Sequence, residues 1–570
     1  MNEISISLPP EAESAVRNEI AAWSASHKIS SIWNRDANIW TNSGEENWLG
    51  WLNLPETESQ NIAEYQKFAK EVSERGFETT VLLGMGGSSL APEVYASVIN
   101  KRNFHILDST VPAAIVSLEK ELDLSKTLFI VSSKSGSTLE PNCLMQYFLK
   151  KVSQIAGGNA SKQFIAITDP GSQLEKEASE FGFLRVFHGQ PTVGGRFSAL
   201  SAFGLVPAAI IGFDISRLLD RARQMAQICQ RADAGENPAA LLGIILGILQ
   251  KQGRDKLTIF SNGAITDFSA WLEQLIAEST GKNQMAIIPI ANEPLDLPEN
   301  YSTDRVFVHL AITGESDDQP LNNLLTKLET FGHPVLRIKL ESREHIVQEF
   351  FRWEFATAVA GAIMGINPFD QPDVESAKIA ARKITDKYET SGKLDLPKPI
   401  ISDSGISLFT DQANRDAINS DMTRDETGSA NPTVYDWIRS HLKRADAGDY
   451  IAILAYLEMS EVNLKALEGL RQAIVRLTHR PVTLGFGPRF LHSTGQAHKG
   501  GPNSGVFLQI TADDQDDLEI PNRKFTFSVV KNAQALGDFN VLLERKRRAI
   551  HLKIENPIEK QLFKIAESLK

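Results

Sequence analysis

The chain has 570 residues, of which 42% are hydrophobic and 23% are charged, proportions that are ordinary for a globular protein. Its 59 basic and 71 acidic residues give a formal net charge of −12, so we expect neither a broad nucleic-acid surface nor an anionic-membrane surface. The two cysteines, Cys143 and Cys229, are too few for a disulfide framework and favour a cytoplasmic location. The first residues show neither a basic nor an apolar region, so we expect no secretory leader, and we expect the apolar runs at 197–213 and 239–249 to form buried helices.

The predicted elements begin after a polar lead-in at residues 1–45. We expect four tryptophans to clamp this segment onto the body of the protein: Trp33, Trp40, Trp48 and Trp51. From 46 to 230, short apolar runs alternate with helix-length segments, a pattern typical of βα units around a mostly parallel sheet. The strands predicted there are 80–83, 104–107, 128–132 and 164–167. The alternation resumes from 231 to 395, with predicted strands at 257–261, 306–310 and 335–340.

The last part of the chain predicts a further α/β unit at 396–570. Residues 384–432 are rich in Asp, Ser, Asn and Pro and predict a linker with short helices. Beyond it, the predicted strands are 450–457, 482–486, 505–510, 525–530 and 549–554, and the predicted helices are 460–478 and 531–546. The sequence therefore predicts an α/β fold with two doubly wound, mostly parallel-sheet domains and a C-terminal α/β extension.

A glycine-rich turn follows the first predicted strand and is the most informative segment of the chain. The run Gly-Met-Gly-Gly-Ser-Ser occupies 84–89, and a helix-like segment comes after it. Glycines let a backbone approach an anion, and amides, hydroxyls and a helix N-terminus bind phosphate, so Gly87 and Ser88 are candidate phosphate contacts. The spacing is neither that of the Walker A motif nor that of the dinucleotide motif, and a plain βα turn is the alternative.

A second hydroxyl-rich loop follows the strand predicted at 128–132. Ser133, Ser135 and Thr138, with Ser137 between them, offer four hydroxyls, and Lys134 adds a cation. Because Ser and Thr are also favoured at helix N-caps, a capping cluster is the alternative. Two such loops at neighbouring strand ends favour the binding of one phosphate monoester, as in a small sugar phosphate.

These loops and three later segments resemble the phosphoglucose isomerase family, which is built on sugar isomerase (SIS) domains. The later segments are VGGRFS at 193–198, WLEQLIAES at 271–279 and NPFDQPDVESAK at 367–378. The resemblance covers roughly residues 45–395, and the rest is similar to the isomerase half of bacterial transaldolase–isomerase fusions. It implies two SIS-type domains, a homodimer, and interconversion of glucose 6-phosphate and fructose 6-phosphate through a cis-enediol, without a cofactor or a metal.

The resemblance also implies the residues of the reaction. Glu278 is the base that moves the proton, Arg196 stabilises the enediolate and Lys378 aids ring opening. Gln274 lies one helical turn before Glu278, and Gln371 lies about two turns before Lys378 on a helix expected to begin at 371. Both glutamines are expected to contact the substrate or its phosphate. For each side chain taken singly, a solvated surface position is the alternative.

The family's ring-opening histidine is missing from its expected place. The family carries Ser-Thr-Asp-x-His there, whereas this chain has Ser-Thr-Asp-Arg-Val at 302–306. The candidates are His309 on a predicted strand, and His492 and His498 in the extension. We expect His492 or His498 to reach the active site, with a glycine-rich structural turn as the alternative for their segment. The eleven histidines show no HxH or HExxH spacing and there is no CxxC, so we expect no metal site.

Two other functions stay open at this point. A bifunctional phosphoglucose/phosphomannose isomerase would use the same base on both C2 epimers. A non-catalytic SIS protein that senses a sugar phosphate would need the phosphate loops, but not Glu278, Arg196 and Lys378 together.

Overall fold

The structure, a computed structural model, describes residues 2–315, 318–424 and 432–570. Its strands fall into three separate sheets. In chain order the strands are β1 (Glu3–Ser7), β2 (Thr79–Gly84), β3 (Phe104–Leu107), β4 (Thr127–Ser132), β5 (Phe164–Thr168), β6 (Arg185–His188), β7 (Lys256–Ser261), β8 (Ile288–Ala291), β9 (Arg305–Ile312), β10 (Val335–Leu340), β11 (Ile401–Asp403), β12 (Ile406–Phe409), β13 (Tyr450–Tyr456), β14 (Val482–Phe486), β15 (Gly505–Ala512) and β16 (Arg548–Ile554).

Helices cover both faces of these sheets. In chain order they are α1 (Pro10–Ala25), α2 (Lys28–Trp33), α3 (Leu54–Thr57), α4 (Ile62–Glu74), α5 (Leu90–Val98), α6 (Pro112–Glu121), α7 (Leu139–Ala156), α8 (Gln173–Phe181), α9 (Ala202–Ile211), α10 (Ile215–Ile228), α11 (Pro238–Lys251), α12 (Phe268–Thr280), α13 (Gln319–Thr330), α14 (Ile346–Met364), α15 (Val374–Ser391), α16 (Gln412–Arg424), α17 (Val434–Leu442), α18 (Glu461–Thr478), α19 (Gly495–Gly500), α20 (Phe527–Glu544) and α21 (Ile558–Ser568).

The first sheet has the strand order β3-β2-β4-β5-β6, and all its strands are parallel. Its four predicted strands are confirmed. Every residue of β4 is buried, as expected for a strand of a parallel sheet that is covered on both faces. Since carboxyl ends of parallel strands meet at one edge, the loops after β2 and β4 lie side by side.

The second sheet has the order β1-β10-β9-β7-β8, with β1 antiparallel to β10. The lead-in is therefore more than a clamp, because its first strand forms the edge of a sheet whose other strands begin only at Lys256. The clamp itself is present: the Nε1 atom of Trp40 donates to the carbonyl oxygen of Ala358 at 2.8 Å, and Trp33 stacks on Phe351.

The third sheet has the order β11-β12-β16-β15-β13-β14, in which β16, β15, β13 and β14 are parallel. In all three sheets the first four parallel strands, counted along the chain, lie in the order second, first, third, fourth. This is a doubly wound order, so the C-terminal domain repeats the topology of the first two. The predicted α/β class and its C-terminal extension are confirmed.

Two predictions in the C-terminal part are wrong. The segment 384–432 is not a linker, because its described residues include the end of α15 and all of β11, β12 and α16; residues 425–431 lie outside the described residues. The segment 525–530 is not a strand. The Thr526 side chain caps α20 by accepting from the N–H of Val529, and Phe525 and Phe527 pack in the core beneath the first sheet. The alternation of apolar and polar residues at 525–530, which resembles that of a strand, thus results from packing around the start of α20.

The largest hydrophobic core joins the first two domains around α14 and α11. The apolar runs at 197–213 and 239–249 contribute the buried helices α9 and α11, as predicted. Among the described residues, no helix is both long enough and apolar enough to cross a membrane.

Candidate active site

A cavity of about 320 Å³ lies beside the N-terminus of α7, where three parts of the chain meet. We call it the α7 cavity. The loop after β4 contributes hydroxyls, α15 contributes Lys378, and the C-terminal domain contributes His492. Its polar lining is formed by Ser135, Ser137, Thr138, Glu140, Glu375, Lys378, Arg382, His492 and Gln534.

The loop after β4 places hydroxyls around the start of α7. Ser133 Oγ lies 3.2 Å from Thr138 Oγ1, and the Oγ atoms of Ser135 and Ser137 lie 3.1 Å apart. Gly136 has φ = 69°, which lets the loop turn tightly between them. Thr138 holds the N-cap position of α7, but its side chain makes no capping bond. The first amides of the helix and the hydroxyls therefore face the same space, an arrangement suited to a phosphate.

The glycine loop after β2 packs against the arginine loop and the end of β4. A Cβ on Gly87 would lie 2.1 Å from the carbonyl oxygen of Gly195, so a glycine is needed for the loop to pack against the arginine loop. Ser88 is buried, and its carbonyl oxygen accepts from Ser132 Oγ at 2.9 Å. Gly87 and Ser88 therefore lie outside the lining of the α7 cavity. Gly87 packs against Gly195 of the arginine loop, and Ser88 is bonded to Ser132 at the end of β4.

Lys134 is also absent from the lining of the α7 cavity. Its Nζ atom forms an ion pair with Asp169 and lies 3.5 Å from the carbonyl oxygen of Pro191. The prediction that Lys134 contacts the phosphate is therefore not supported by its position, because its charge is already neutralised by a carboxylate.

Arg196 and Glu278 form a buried pair. Arg196 Nη1 lies 3.4 Å from Glu278 Oε1, and the two residues are 2% and 8% exposed. The guanidinium is held on every side: Nε donates to Ser279 Oγ, and Nη2 donates to the carbonyl oxygens of Pro368 and Asp370 at 2.7 and 3.0 Å. Burial lowers the pKa of Arg196, although the nearby carboxylates raise it in part. A rigid, desolvated guanidinium beside a carboxylate suits stabilisation of a negative oxygen.

The two glutamines contact the predicted catalytic pair directly. Gln274 Nε2 donates to Glu278 Oε2 at 3.1 Å and to the carbonyl oxygen of His492 at 2.7 Å. It thereby joins the predicted base to the histidine loop, while its Oε1 atom is buried without a partner among the described residues. Gln371 Oε1 accepts from Arg196 Nη1 at 2.9 Å. The prediction that this helix begins at 371 is wrong, because α15 begins at Val374 and Gln371 lies before it.

His492 is the histidine that reaches the α7 cavity. Its Nε2 atom lies 2.9 Å from Glu140 Oε1, and Glu140 also accepts from Gln534 Nε2 at 2.6 Å. Burial raises the pKa of Glu140, but the charge and hydrogen bond of His492, with a smaller contribution from Lys378, lower it overall. The carboxylate thus fixes the orientation of the imidazole ring at the cavity wall.

His498 does not reach the α7 cavity. It is buried inside the C-terminal domain, where its Nδ1 atom lies 2.9 Å from the hydroxyl of Tyr450 and its ring packs on Phe507. Burial, reinforced by the charges of Lys499 and Arg547, lowers its pKa well below the usual value. The prediction that His498 is an alternative ring-opening group is therefore wrong, because it belongs to a hydrophobic core.

His309 lies on β9 of the second sheet, as the sequence predicted. Its Nε2 atom is 3.2 Å from Asn262 Oδ1, and burial together with the charge of Arg337 lowers its pKa to about 4. It takes no part in the lining of the α7 cavity.

Lys378 lines the α7 cavity and is the most exposed of the predicted catalytic groups. It lies in the second turn of α15, its side chain is 41% exposed, and its Nζ atom is 3.1 Å from Glu375 Oε1. Sequence reasoning missed Lys282, whose Nζ atom donates to the Asn367 carbonyl at 2.7 Å and lies 2.6 Å from Asp370 Oδ1. Burial and the charge of Arg196 lower its pKa to about 8. The only sequence signal for it was its place just after the glutamate helix.

Comparison with known proteins shows the family of the chain. A sequence model described as phosphoglucose isomerase matches residues 68–288. A glucose-6-phosphate isomerase of Methanocaldococcus jannaschii is 30% identical over 343 residues, which cover 54% of this chain and 84% of that protein. The chain belongs to the phosphoglucose isomerase family.

Two further likenesses extend the comparison. The glucose-6-phosphate isomerase of Carboxydothermus hydrogenoformans is 35% identical over 253 residues, but these cover 42% of this chain and only 54% of that enzyme. Among solved structures, a hypothetical protein from Thermus thermophilus aligns with a TM-score of 0.56 and 23% identity, covering 66% of this chain and 99% of that chain. This last likeness shows that the fold is shared.

Proposed function

We propose that the protein is a glucose-6-phosphate isomerase that interconverts glucose 6-phosphate and fructose 6-phosphate through a cis-enediolate, without a metal. The observation that carries the proposal is the buried Arg196–Glu278 pair, joined through Gln274 to the His492 loop. The proposed base and the fixed positive charge beside it are thereby connected to a histidine that lines the α7 cavity. A protein that only senses a sugar phosphate has no need for this combination.

The first chemical step opens the sugar ring. A proton leaves the O1 hydroxyl, the C1–O5 bond breaks, and O5 gains a proton. His492, which contacts Glu140, lines the α7 cavity together with Lys378, and this shared position supports our assignment of the two proton transfers to these groups. The phosphate of the substrate would lie at the start of α7, where Ser135 and Thr138 offer hydroxyls.

The second step moves a proton between adjacent carbons. Glu278 takes the C2 proton of the open-chain aldose, and the electron pair moves to O1 to give the enediolate. Arg196 stabilises the negative oxygen, because its guanidinium is fixed before the charge develops. Glu278 returns the proton to C1 while the O2 proton moves to O1, which gives the ketose. Gln274 keeps the carboxylate in place through its 3.1 Å hydrogen bond.

An assay that couples production of glucose 6-phosphate from fructose 6-phosphate to NADP reduction tests the proposal. We expect turnover by the wild type and a loss of at least about 10²-fold in Glu278→Gln, with substrate still bound. If the wild type binds fructose 6-phosphate without turnover, the protein is instead a non-catalytic SIS protein that senses a sugar phosphate. A wild type that also produces fructose 6-phosphate from mannose 6-phosphate would be the bifunctional isomerase, because it would use the same base on both C2 epimers.

The remaining predictions concern the partners, the oligomeric state, the cellular location and the cofactor of the protein. A small sugar phosphate is the partner that the family implies, while a homodimer, a cytoplasmic location and the absence of a cofactor stay predictions. The location is checked by fractionation of the source cells, and the oligomeric state by light scattering.

A further inference from the structure

We infer that Gln496 is a positioning residue that holds the three catalytic segments of the proposed isomerase in register. This inference rests on the proposed function for its kinetic consequence, but its structural basis stands independently. The side chain of Gln496 is completely buried where the C-terminal domain meets the ends of two helices of the second domain. It lies outside the α7 cavity and touches none of the reacting groups directly.

Every hydrogen-bonding position of the Gln496 amide is used. Its Oε1 atom accepts from the backbone N–H groups of Asp373 at 2.9 Å and Val374 at 3.2 Å. Its Nε2 atom donates to the carbonyl oxygen of Gly281 at 2.8 Å and to Asp373 Oδ2 at 2.8 Å. A glutamine offers two donor hydrogens and an oxygen with two lone pairs, so this side chain is fully satisfied. Such a pattern fixes both the position and the orientation of the amide.

The first two of these bonds cap the helix that carries Lys378. Asp373 is the N-cap residue of α15, but its own side chain makes no capping bond to the helix. The free N–H groups at a helix start need acceptors, and here a side chain 123 positions later supplies one. Loss of a capping acceptor destabilises the first turn of a helix. The start of α15 therefore depends on the C-terminal domain.

The bond to Gly281 reaches the helix that carries Glu278. Gly281 is the C-cap of α12 and lies three residues after Glu278. A Cβ on Gly281 would lie 2.3 Å from the Cα atom of Ala497, and one on Gly500 would lie 2.2 Å from Asp373 Oδ2. These close approaches need glycine on both sides of the junction. The end of α12 and the Gln496 segment therefore pack backbone to backbone, and the Asp373 side chain packs against Gly500.

The arrangement gives one side chain a short link to each proposed catalytic group. Glu278 lies three residues before Gly281, Lys378 lies five residues after Asp373, and His492 lies four residues before Gln496. Because a misplacement of about 1 Å at a reacting group can cost about 10²-fold in rate, loosening this junction should be visible in turnover. The phosphate cradle on α7 belongs to another segment, so substrate binding should change little.

Three variants test the inference in the full-length protein. Gln496→Leu removes all four hydrogen bonds at similar volume. Gln496→Glu keeps the acceptor oxygen that caps α15 but loses the donor to Gly281 and to Asp373, and it sets a second oxygen against Asp373 Oδ2. Gln163→Leu is the matched control, since Gln163 is also buried and its Nε2 atom also bridges two backbone carbonyls, those of Leu124 and Thr127, at the far end of the first sheet.

We expect Gln496→Leu to lower kcat for fructose 6-phosphate about 10- to 100-fold, with KM within about threefold of wild type. In the same variant, amide hydrogen exchange should quicken at Asp373 and Val374 relative to the rest of the protein. Gln496→Glu should keep the protection of these amides and still lose part of kcat. Gln163→Leu should lose stability but keep kcat within about threefold.

Either of two results would overturn the inference: unchanged kcat in both Gln496 variants, or an equal loss in Gln163→Leu. If Gln496→Leu does not fold, Gln496→Glu decides the matter through the same kinetic comparison. If the wild type does not isomerise fructose 6-phosphate, the proposed function fails. The exchange rates at Asp373 and Val374 still decide whether Gln496 holds the junction.

Discussion

The role of His492 leads to the most demanding prediction. His492→Asn removes the imidazole but leaves a polar side chain of smaller size. In the wild type, the Nε2 atom of His492 lies 2.9 Å from Glu140 Oε1. The side chains of His492 and Glu140 are 10% and 5% exposed, so the pair is shielded from water. Loss of a general acid–base group costs about 10²–10⁴-fold, and we expect this loss in the opening of the ring.

Ring opening can be measured apart from isomerisation, because opening and reclosure interconvert the two anomers of glucose 6-phosphate. Exchange NMR follows this interconversion. We expect Glu278→Gln to keep catalysing it while losing isomerisation, and His492→Asn to lose both. Glu140→Gln should hold the imidazole ring of His492 in place only in part. The rate of anomer interconversion should then fall about 10- to 150-fold, which corresponds to the roughly 1.5–3 kcal/mol of a hydrogen bond to a charged group.

His498→Asn is the matched control, because it makes the same substitution six residues later, on α19 and inside the C-terminal core. It should lower the free energy of unfolding and leave anomer interconversion per folded molecule within about threefold. If His492→Asn interconverts the anomers at the wild-type rate, then His492 does not open the ring. An equal loss in His498→Asn would show that the effect is structural.

Three further predictions concern the base, the phosphate and pH. Glu278→Gln should bind substrate normally and lose turnover by at least about 10²-fold, and turnover within a factor of ten of wild type would remove Glu278 from the mechanism. Thr138→Ala should raise KM by an amount equivalent to about 1–3 kcal/mol. Ser133→Ala should raise KM less, because Ser133 contacts Thr138 and does not line the α7 cavity. An unchanged KM in both variants would mean that the phosphate binds elsewhere. The pKa of Lys282 is lowered to about 8 from a usual 10.5, so between pH 8 and 10.5 the native state binds fewer protons than the unfolded chain. In this pH range Lys282 therefore makes the free energy of unfolding rise with pH, by up to about 3 kcal/mol. Denaturant unfolding of wild type and Lys282→Gln from pH 7.5 to 10 checks this, and parallel curves would contradict it.

Much of the fold could be predicted from the sequence because its signals are local. The strands β2, β4, β5 and β7 are short apolar runs that end in glycine or small polar residues, and they occur within a residue or two of their predicted places. The glutamate helix α12 was also predictable, since Trp271 and Leu275 repeat at helical spacing and are both buried.

The errors occur where distant contacts override a local pattern. Residues 525–530 alternate like a strand, yet Phe525 and Phe527 are buried against the first domain and Thr526 caps a helix. The helix of Lys378 begins three residues later than expected, because Gln496 caps it and Asp370 is engaged by Lys282. The strand β1 pairs with residues more than 300 positions away, which no local pattern indicates.

The sequence by itself determined the doubly wound domains and the hydroxyl loop, because buried runs and glycine turns act over a few residues. The segments of Glu278, Arg196 and Lys378 were implied by the resemblance to a known family. Only the tertiary structure decided between His492 and His498. Both lie on the same short segment, and what separates them is their surroundings: Glu140 at the cavity wall for one, and Tyr450 in a hydrophobic core for the other. Those surroundings are brought together by the packing of the C-terminal domain against the other two, and packing over hundreds of residues leaves no pattern in the segment itself.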